Sequence, residues 1–418
     1  MSMRLLDTRP LRTSRPFRDL WLGSALSGVG GQIATVAVLA QVWEMTESPV
    51  GTGAIGLVTG VSMLLFGLVG GTLADTYDRR AVVRATTAGQ LLAAAGLCWQ
   101  ALAGNESVVL LLALVGAGTA LGALGAPARR TFPVRLLPAD QVAAGLALTN
   151  VAFQASMLAG PALAGLIIAR WDFEAAYAVQ AVAVVVSLLA ILRLPPMPVA
   201  SAAGTGRRRP ERGGWSVILR RPTLWGSMAT DLSATLLAMP IALFPLVNEI
   251  RFDGNPRTLG LFLSAVAVGG ITAGLLSGTV TRLGRGGLVQ LTAAAFWGLA
   301  LAGFGLAGPL WLALACLAVA GAADTISVVT RSALVQLETP DAFRGRVSSV
   351  EHVIGVAGPE LGNFRGGLLA SATSAPFALV TGGLSATLVI AAVAATNGPL
   401  RAYRVPRAEP AAEVTPAA

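Results

Sequence analysis

The chain has 418 residues, 54% of them hydrophobic and only 12% charged, with a mean hydropathy of +0.70. A soluble fold carries about a quarter charged residues, so this chain needs lipid as its solvent. All 30 basic residues are arginine, which removes the lysine of a phosphate-binding loop and with it nucleotide hydrolysis of that kind. One histidine, His352, and two cysteines, Cys98 and Cys316, inside apolar runs leave no disulfide framework and no nitrogen–sulfur metal site, and no cofactor is expected. The net charge of +9 is spread between hydrophobic runs and not gathered in one basic domain, which argues for membrane topology and against nucleic acid.

Residues 1–16 hold Arg4, Arg9, Arg12 and Arg15 ahead of an apolar run too long for a signal-peptide core, and read as a retained cytoplasmic tail. A spanning helix needs about 20 mostly apolar residues. Such runs fall at roughly 17–43, 51–74, 81–103, 107–126, 141–169 and 174–194. After a polar stretch a second set falls at roughly 222–250, 258–280, 287–306, 310–335, 347–370 and 375–396. The predicted fold is therefore an all-α polytopic membrane protein with twelve spans in two pseudo-symmetric six-helix bundles, 17–194 and 222–396. Residues 195–221, with Arg207, Arg208, Arg209 and Arg212, form a cytoplasmic linker, and 397–418 a cytoplasmic tail.

Arginines concentrate in alternate connections: Arg79, Arg80 and Arg84; Arg129, Arg130 and Arg135; the linker; Arg282 and Arg285; Arg344 and Arg346. By the positive-inside rule both termini lie in the cytoplasm, in the inner cell membrane. The halves also repeat one another. The fifth span contains Gly160-Pro161 and then Gly165; the eleventh contains Gly358-Pro359 and then Gly362. A Gly-Pro step bends a helix and frees a carbonyl, and its recurrence points to two copies of one ancestral bundle.

Between the second and third spans the chain reads Gly71, then Asp75, then Asp78-Arg79-Arg80. Glycine permits close helix approach, an acid at a helix end can be held by dipoles and arginines, and the arginines face anionic lipid, so this loop reads as a gating latch. The matching loop of the second half, around Arg282, Gly284 and Arg285, has Thr281 in the acidic position.

A glycine, an acid four positions on and paired arginines at this place resemble the signature loop of the major facilitator superfamily. Leu334 to Val347 and Gly358 to Gly362 are similar to its drug-exporter branch, which contains enterobactin exporters. The resemblance implies rocker-switch alternating access with substrate between the halves. The Gly160-Pro161 step, similar to the family's antiporter motif, implies export.

Intramembrane charge marks the candidate coupling site, because an ionised side chain at mid-bilayer costs about 2.5–3.5 kcal/mol on the lenient insertion scale. At about 1.5 Å per residue, Asp231 lies roughly 14 Å into the seventh span, Asp324 roughly 21 Å into the tenth and Glu360 roughly 20 Å into the eleventh. Arg331 and Arg365 are cations on the same helices. Either these groups form permanent ion pairs, or at least one carboxyl exchanges a proton as substrate leaves; Asp231 ranks first and Asp324 second. Gln32, Asn150 and Gln154 are candidate cavity residues. The aromatic residues Trp21, Trp43, Phe66, Trp99, Phe153 and Phe244 cannot be sorted between cavity and membrane interface.

The function expected is a secondary active transporter, not an enzyme: proton-coupled efflux of an amphipathic small molecule, siderophore or drug-like, by a monomer. The alternatives are a proton-linked nutrient importer and, more remotely, a lipid-linked transferase, against which the short connections argue.

Overall fold

In a computed structural model the chain is described over residues 7–104, 106–197, 214–281, 284–340 and 343–404. The linker arginines and most of the C-terminal tail lie outside the described residues. No strand occurs among those described. The first half comprises α1 (Arg9–Thr13), α2 (Arg15–Thr46), α3 (Pro49–Thr76), α4 (Arg79–Leu102), α5 (Val108–Arg130), α6 (Phe132–Leu136) and α7 (Val142–Leu192). The second comprises α8 (Gly214–Arg220), α9 (Pro222–Ala238), α10 (Phe244–Phe252), α11 (Pro256–Thr281), α12 (Gly286–Leu306), α13 (Leu310–Glu338), α14 (Arg344–Ala372), α15 (Ala375–Thr396) and α16 (Gly398–Ala402).

Local chemistry starts these helices where the sequence changes from polar to apolar. Ser14, Asp78, Ser107 and Ser374 accept hydrogen bonds from backbone N–H groups of the first turns of α2, α4, α5 and α15. Proline occupies the first turn of α2, α3, α9 and α15, where its missing N–H costs nothing.

Ten helical stretches are long and apolar enough to cross a membrane. One of them, 139–192, is two crossings, because α7 reverses at Asp172, where φ is 66° and ψ −171°. The α14 helix is less apolar, with Glu351, Glu360, Asn363 and Arg365 along it, yet at 29 residues it is long enough to span. Together these make twelve crossings among the described residues. The seventh is broken: α9 ends at Ala238, a short 3₁₀ turn covers Ile241–Leu243, and α10 continues.

Small residues let the helices nest. In the first half α2 lies between the two arms of α7: a methyl placed on Gly23 would come within 3.0 Å of the Ser187 Cα, and one on Gly28 within 2.7 Å of the Ser156 hydroxyl. A fully buried polar trio, Gln41, Gln100 and Tyr177, joins α2, α4 and the second arm of α7; the Tyr177 hydroxyl donates to Gln41 at 2.7 Å. In the second half Phe244, Phe262 and Phe304 meet edge to face with centroids 5.4 to 5.6 Å apart. Arg251 donates to the carbonyls of Phe304, Gly305 and Ala307 at the end of α12, satisfying orphan acceptors at a helix C-terminus.

The repeat is visible in the connections as well as in the helices. The Arg79 N–H donates to the Met197 carbonyl at 3.3 Å in the first half, and the Gly287 N–H to the Tyr403 carbonyl at 3.4 Å in the second. Each half thus binds the chain leaving its sixth crossing to the loop between its second and third. Met197, within the linker expected over 195–221, is buried in the first half's core beside Leu20, Val83 and Ile191.

Candidate functional site

The halves meet along two seams that the repeat makes equivalent: α3 against α14, and the first arm of α7 against α11. On the first seam, a methyl on Gly53 would come within 3.2 Å of the Phe364 Cα, on Gly56 within 2.7 Å of the Glu360 carbonyl, and on Gly60 within 2.8 Å of the Glu360 Cβ. Gly367 abuts Pro49. On the second seam a methyl on Gly165 would come within 2.7 Å of the Pro256 carbonyl, and Gly260 packs on Pro161. Hydrogen bonds cross between the halves here: Thr52 donates to the Ala242 carbonyl at 2.7 Å, and Ser264 to the Leu158 carbonyl at 3.1 Å. All these contacts lie toward the end of the molecule where α2 turns into α3.

Farther along, the same face of α3 is free. Gly53, Gly56, Gly60, Gly67 and Gly71 fall within about 60° of one another around the helix, and Gly53 to Gly71 is five turns, about 27 Å. A methyl on Gly67 or Gly71 meets nothing within 4 Å. Among the described residues the two halves therefore close on one another at one end and stand apart along α3 at the other, the end that carries Arg79, Arg129 and Arg285. This corrects the expectation for Gly71: the close approach at the foot of α3 is made by its neighbour Gly70, where a methyl would come within 2.6 Å of the Leu124 carbonyl of α5.

Above this opening lies a cavity of about 590 Å³. Its wall comes mostly from the first half: Gln32, Thr35 and Leu39 of α2, Thr59 and Met63 of α3, Gln90 of α4, Thr119 of α5 and Gln180 of the second arm of α7. The second half contributes Ile241, Ala242, Glu360 and Asn363. Glu360 is the one charged side chain among its described residues, placed where Gly56 and Gly60 of the opposite half press on α14. Asn363, one turn on, accepts from the Ala242 N–H at 3.2 Å and so fixes the break in the seventh crossing.

The other sequence-derived candidates separate into distinct settings. Asp231 is 6% exposed and ion-paired with Arg331, whose Nε is also 3.4 Å from Glu351; Glu351 accepts from Ser332 at 3.0 Å. This cluster ties α9, α13 and α14 together within one half. Asp324 is half-buried on α13 and lines no part of the cavity. Arg365 pairs with no carboxylate among the described residues; it donates to the Leu237 carbonyl at 3.1 Å, at the free C-terminal end of α9. Gln32 lines the cavity, whereas Asn150 is exposed and Gln154 half-buried, both away from it. Gly160 packs on Gln32 and Val29 of α2, and Gly358 on Thr235 of α9, so both Gly-Pro steps, with Pro161 and Pro359, seat the fifth crossing of a half on its first.

In the signature loop Asp78 caps α4 through the Ala81 N–H at 2.8 Å and accepts from the Met197 N–H at 2.7 Å. Arg80 donates to the Leu192 carbonyl at 2.6 Å and Arg79 to the Ala74 carbonyl at 3.4 Å. The side chains of Asp75 and His352, and all of Arg282, lie outside the described residues; Gly284 adopts φ +67° and Arg285 precedes α12. Sequence reasoning missed Gln90, Gln180 and Asn363. Their signal was available, since an amide inside an apolar run must find a partner or a cavity.

Twelve crossings in two repeated bundles around a central cavity define a membrane transporter of the major facilitator fold, not an enzyme. The chain belongs to the transmembrane secretion effector family, whose model matches residues 7–416. It is similar to the enterobactin exporter EntS of Citrobacter koseri, 28% identical over 410 residues and covering 96% of each chain. The EntS of Shigella flexneri is 27% identical over 394 residues, 92% of this chain and 94% of the relative. Among solved structures, a variant of the nucleoside transporter NupG superposes with a TM-score of 0.74 at 14% identity, covering 91% of this chain and 99% of that one. A bacterial homologue of the lysosomal transporter Spinster, solved inward-facing and unoccupied, gives 0.69 at 16% identity, covering 94% and 97%.

Proposed function

We propose that this protein is a proton-coupled exporter of an amphipathic small molecule, a siderophore or drug-like compound, working by alternating access in the inner cell membrane. One observation carries the reading: Glu360 is at once the acid of the cavity and the residue on which α3 of the opposite half closes. When that seam opens, Glu360 passes from the cavity side to the opposite side of the membrane, which a proton-exchanging group must do.

Arginine-rich connections place the parted end in the cytoplasm, so the conformation described is loaded from inside. Glu360 takes precedence over Asp231, because Asp231 already spends its charge on Arg331 within one half. Relatives named as enterobactin exporters support the outward direction. The test uses inverted membrane vesicles and a fluorescent amphiphile. Uptake should collapse with the pH gradient and lose that dependence in Glu360→Gln; uptake indifferent to the gradient in the wild type refutes proton coupling. Secretion of siderophore by a deletion strain under iron limitation separates siderophore from drug-like cargo.

A further inference from the structure

The cavity wall combines one acid with four amides, Gln32, Gln90, Gln180 and Asn363, and holds no arginine, no histidine and no aromatic ring among its described residues. None of the aromatic residues left unsorted by sequence reaches it. An anionic substrate would meet Glu360 with no compensating cation, and like charges in a low-dielectric site repel strongly. A flat aromatic substrate would find no ring on which to stack. A cation finds an ion-pair partner and amide oxygens to accept its N–H groups, while Val38, Leu39, Ile55, Met63, Leu97 and Val115 offer an aliphatic bed. A volume of about 590 Å³ suits one small molecule.

We infer that the cavity recognises a singly charged amphiphilic cation with an aliphatic body, and that this cation and a proton compete for Glu360. The inference rests on the export reading above and narrows its substrate. Among the described residues no other ionisable side chain lines the cavity beside Glu360. From α3 it is faced by Gly56, Thr59 and Gly60, and residues 49–74 contain no titratable side chain. On its own helix Asn363 is neutral and Arg365 turns to the Leu237 carbonyl. From α9, Asp231 is engaged by Arg331. A cation docking at the carboxylate therefore displaces the proton from Glu360 to water, and the occupied cavity keeps the same net charge in either state.

The experiment uses the full chain in lipid nanodiscs with tetrabutylammonium, a permanently charged aliphatic cation with no proton of its own, and tetrabutylborate as the size-matched anion. Tetrabutylammonium should bind the wild type, weaken about tenfold per pH unit once Glu360 is protonated, and release about one proton per cation to an indicator dye in weak buffer. Glu360→Gln should weaken binding about tenfold or more and release no proton. Glu360→Asp, which keeps a carboxylate, should retain proton release and so separates lost chemistry from a lost fold. Equal binding by Glu360→Gln, equal or tighter binding of tetrabutylborate, or no cation binding by the wild type overturns the inference. Gradient-driven export in vesicles alongside any of those results leaves the export reading standing and removes only the substrate class.

Discussion

Replacing Gly367 by leucine should open the closed end of the transporter. Gly367 sits on α14 against Pro49 of α3, and even a methyl there would lie 3.0 Å from the Pro49 carbonyl carbon and 3.3 Å from the Gly53 Cα. Both neighbours are backbone, so neither can swing aside, and overpacking of this kind costs about 1–3 kcal/mol. The penalty applies only while α3 and α14 touch. It therefore shifts the equilibrium toward the arrangement in which they part by about 5- to 150-fold. A wild type open about 1% of the time would become about 5 to 60% open. Spin labels at Ser48 and Ser371, which flank the seam, report this as a second, longer distance by electron–electron resonance. Gly67→Ala, on the same face of α3 but against open space, is the control and should leave the distribution unchanged. A Gly367→Leu distribution matching the wild type would refute the seam as the gate.

The Asp231 and Arg331 cluster should behave as structure. Asp231→Asn leaves a buried guanidinium with only Glu351, and should lower stability by up to about 3–5 kcal/mol, while Asp231→Asn combined with Arg331→Gln recovers most of the loss in thermal unfolding; a double variant no better than the single contradicts the pairing. Asp78→Ala removes a cap worth about 0.5–2 kcal/mol and the acceptor for the Met197 N–H, so trypsin should cut faster after the exposed Arg193; unchanged cleavage would show that the loop does not hold the linker. Tyr177→Phe deletes one bond to Gln41, whose oxygen still accepts from Gln100 at 3.0 Å. A modest loss of about 1 kcal/mol is expected, and a collapse of the fold would show that the trio carries more than its hydrogen bonds.

The helices were legible because each is a long apolar run bounded by caps, prolines and arginines, all local properties. The apolar run at 347–370 marked α14 although its charges lower its average, and Gly358-Pro359 then matched it to the fifth crossing of the first half. The turn between the fifth and sixth crossings was readable as a polar break near Asp172, although the backbone there stays helical on both sides. The ranking of the acids was not legible. Asp231 and Arg331 are 100 positions apart, and whether an acid faces an arginine or a cavity is decided by helix rotation that no local pattern records. The docking of Met197 was hidden for a similar reason, since Pro195-Pro196 reads as the start of a linker and its burial depends on Leu20, Val83 and Ile191 converging on it.

The repeat explains how one helix came to carry several tasks. A symmetric pair of bundles would place equivalent groups on both seams, but the α7–α11 seam is lined by Pro161, Gly165, Gly260 and Ser264, with Arg257 exposed at its end, while α14 bears Glu351, Glu360 and Arg365. Along α14 these sit in sequence: Glu351 joins the Arg331 cluster, Glu360 faces the cavity about 13.5 Å farther on, and Gly367 closes on Pro49 about 10 Å beyond that. Buried charge anchors α14 at one end to α9 and α13 of its own half. On the export reading, Glu360 then rides at the fulcrum, where Gly56 and Gly60 of the first half press against it. Neutralising it with a proton removes the energetic cost of sealing a bare carboxylate between apolar helices, and a docked cation does the same by pairing. An empty, ionised Glu360 disfavours that sealed passage. This would prevent leak of protons or substrate without exchange, and the control resides in a single side chain on the asymmetric seam.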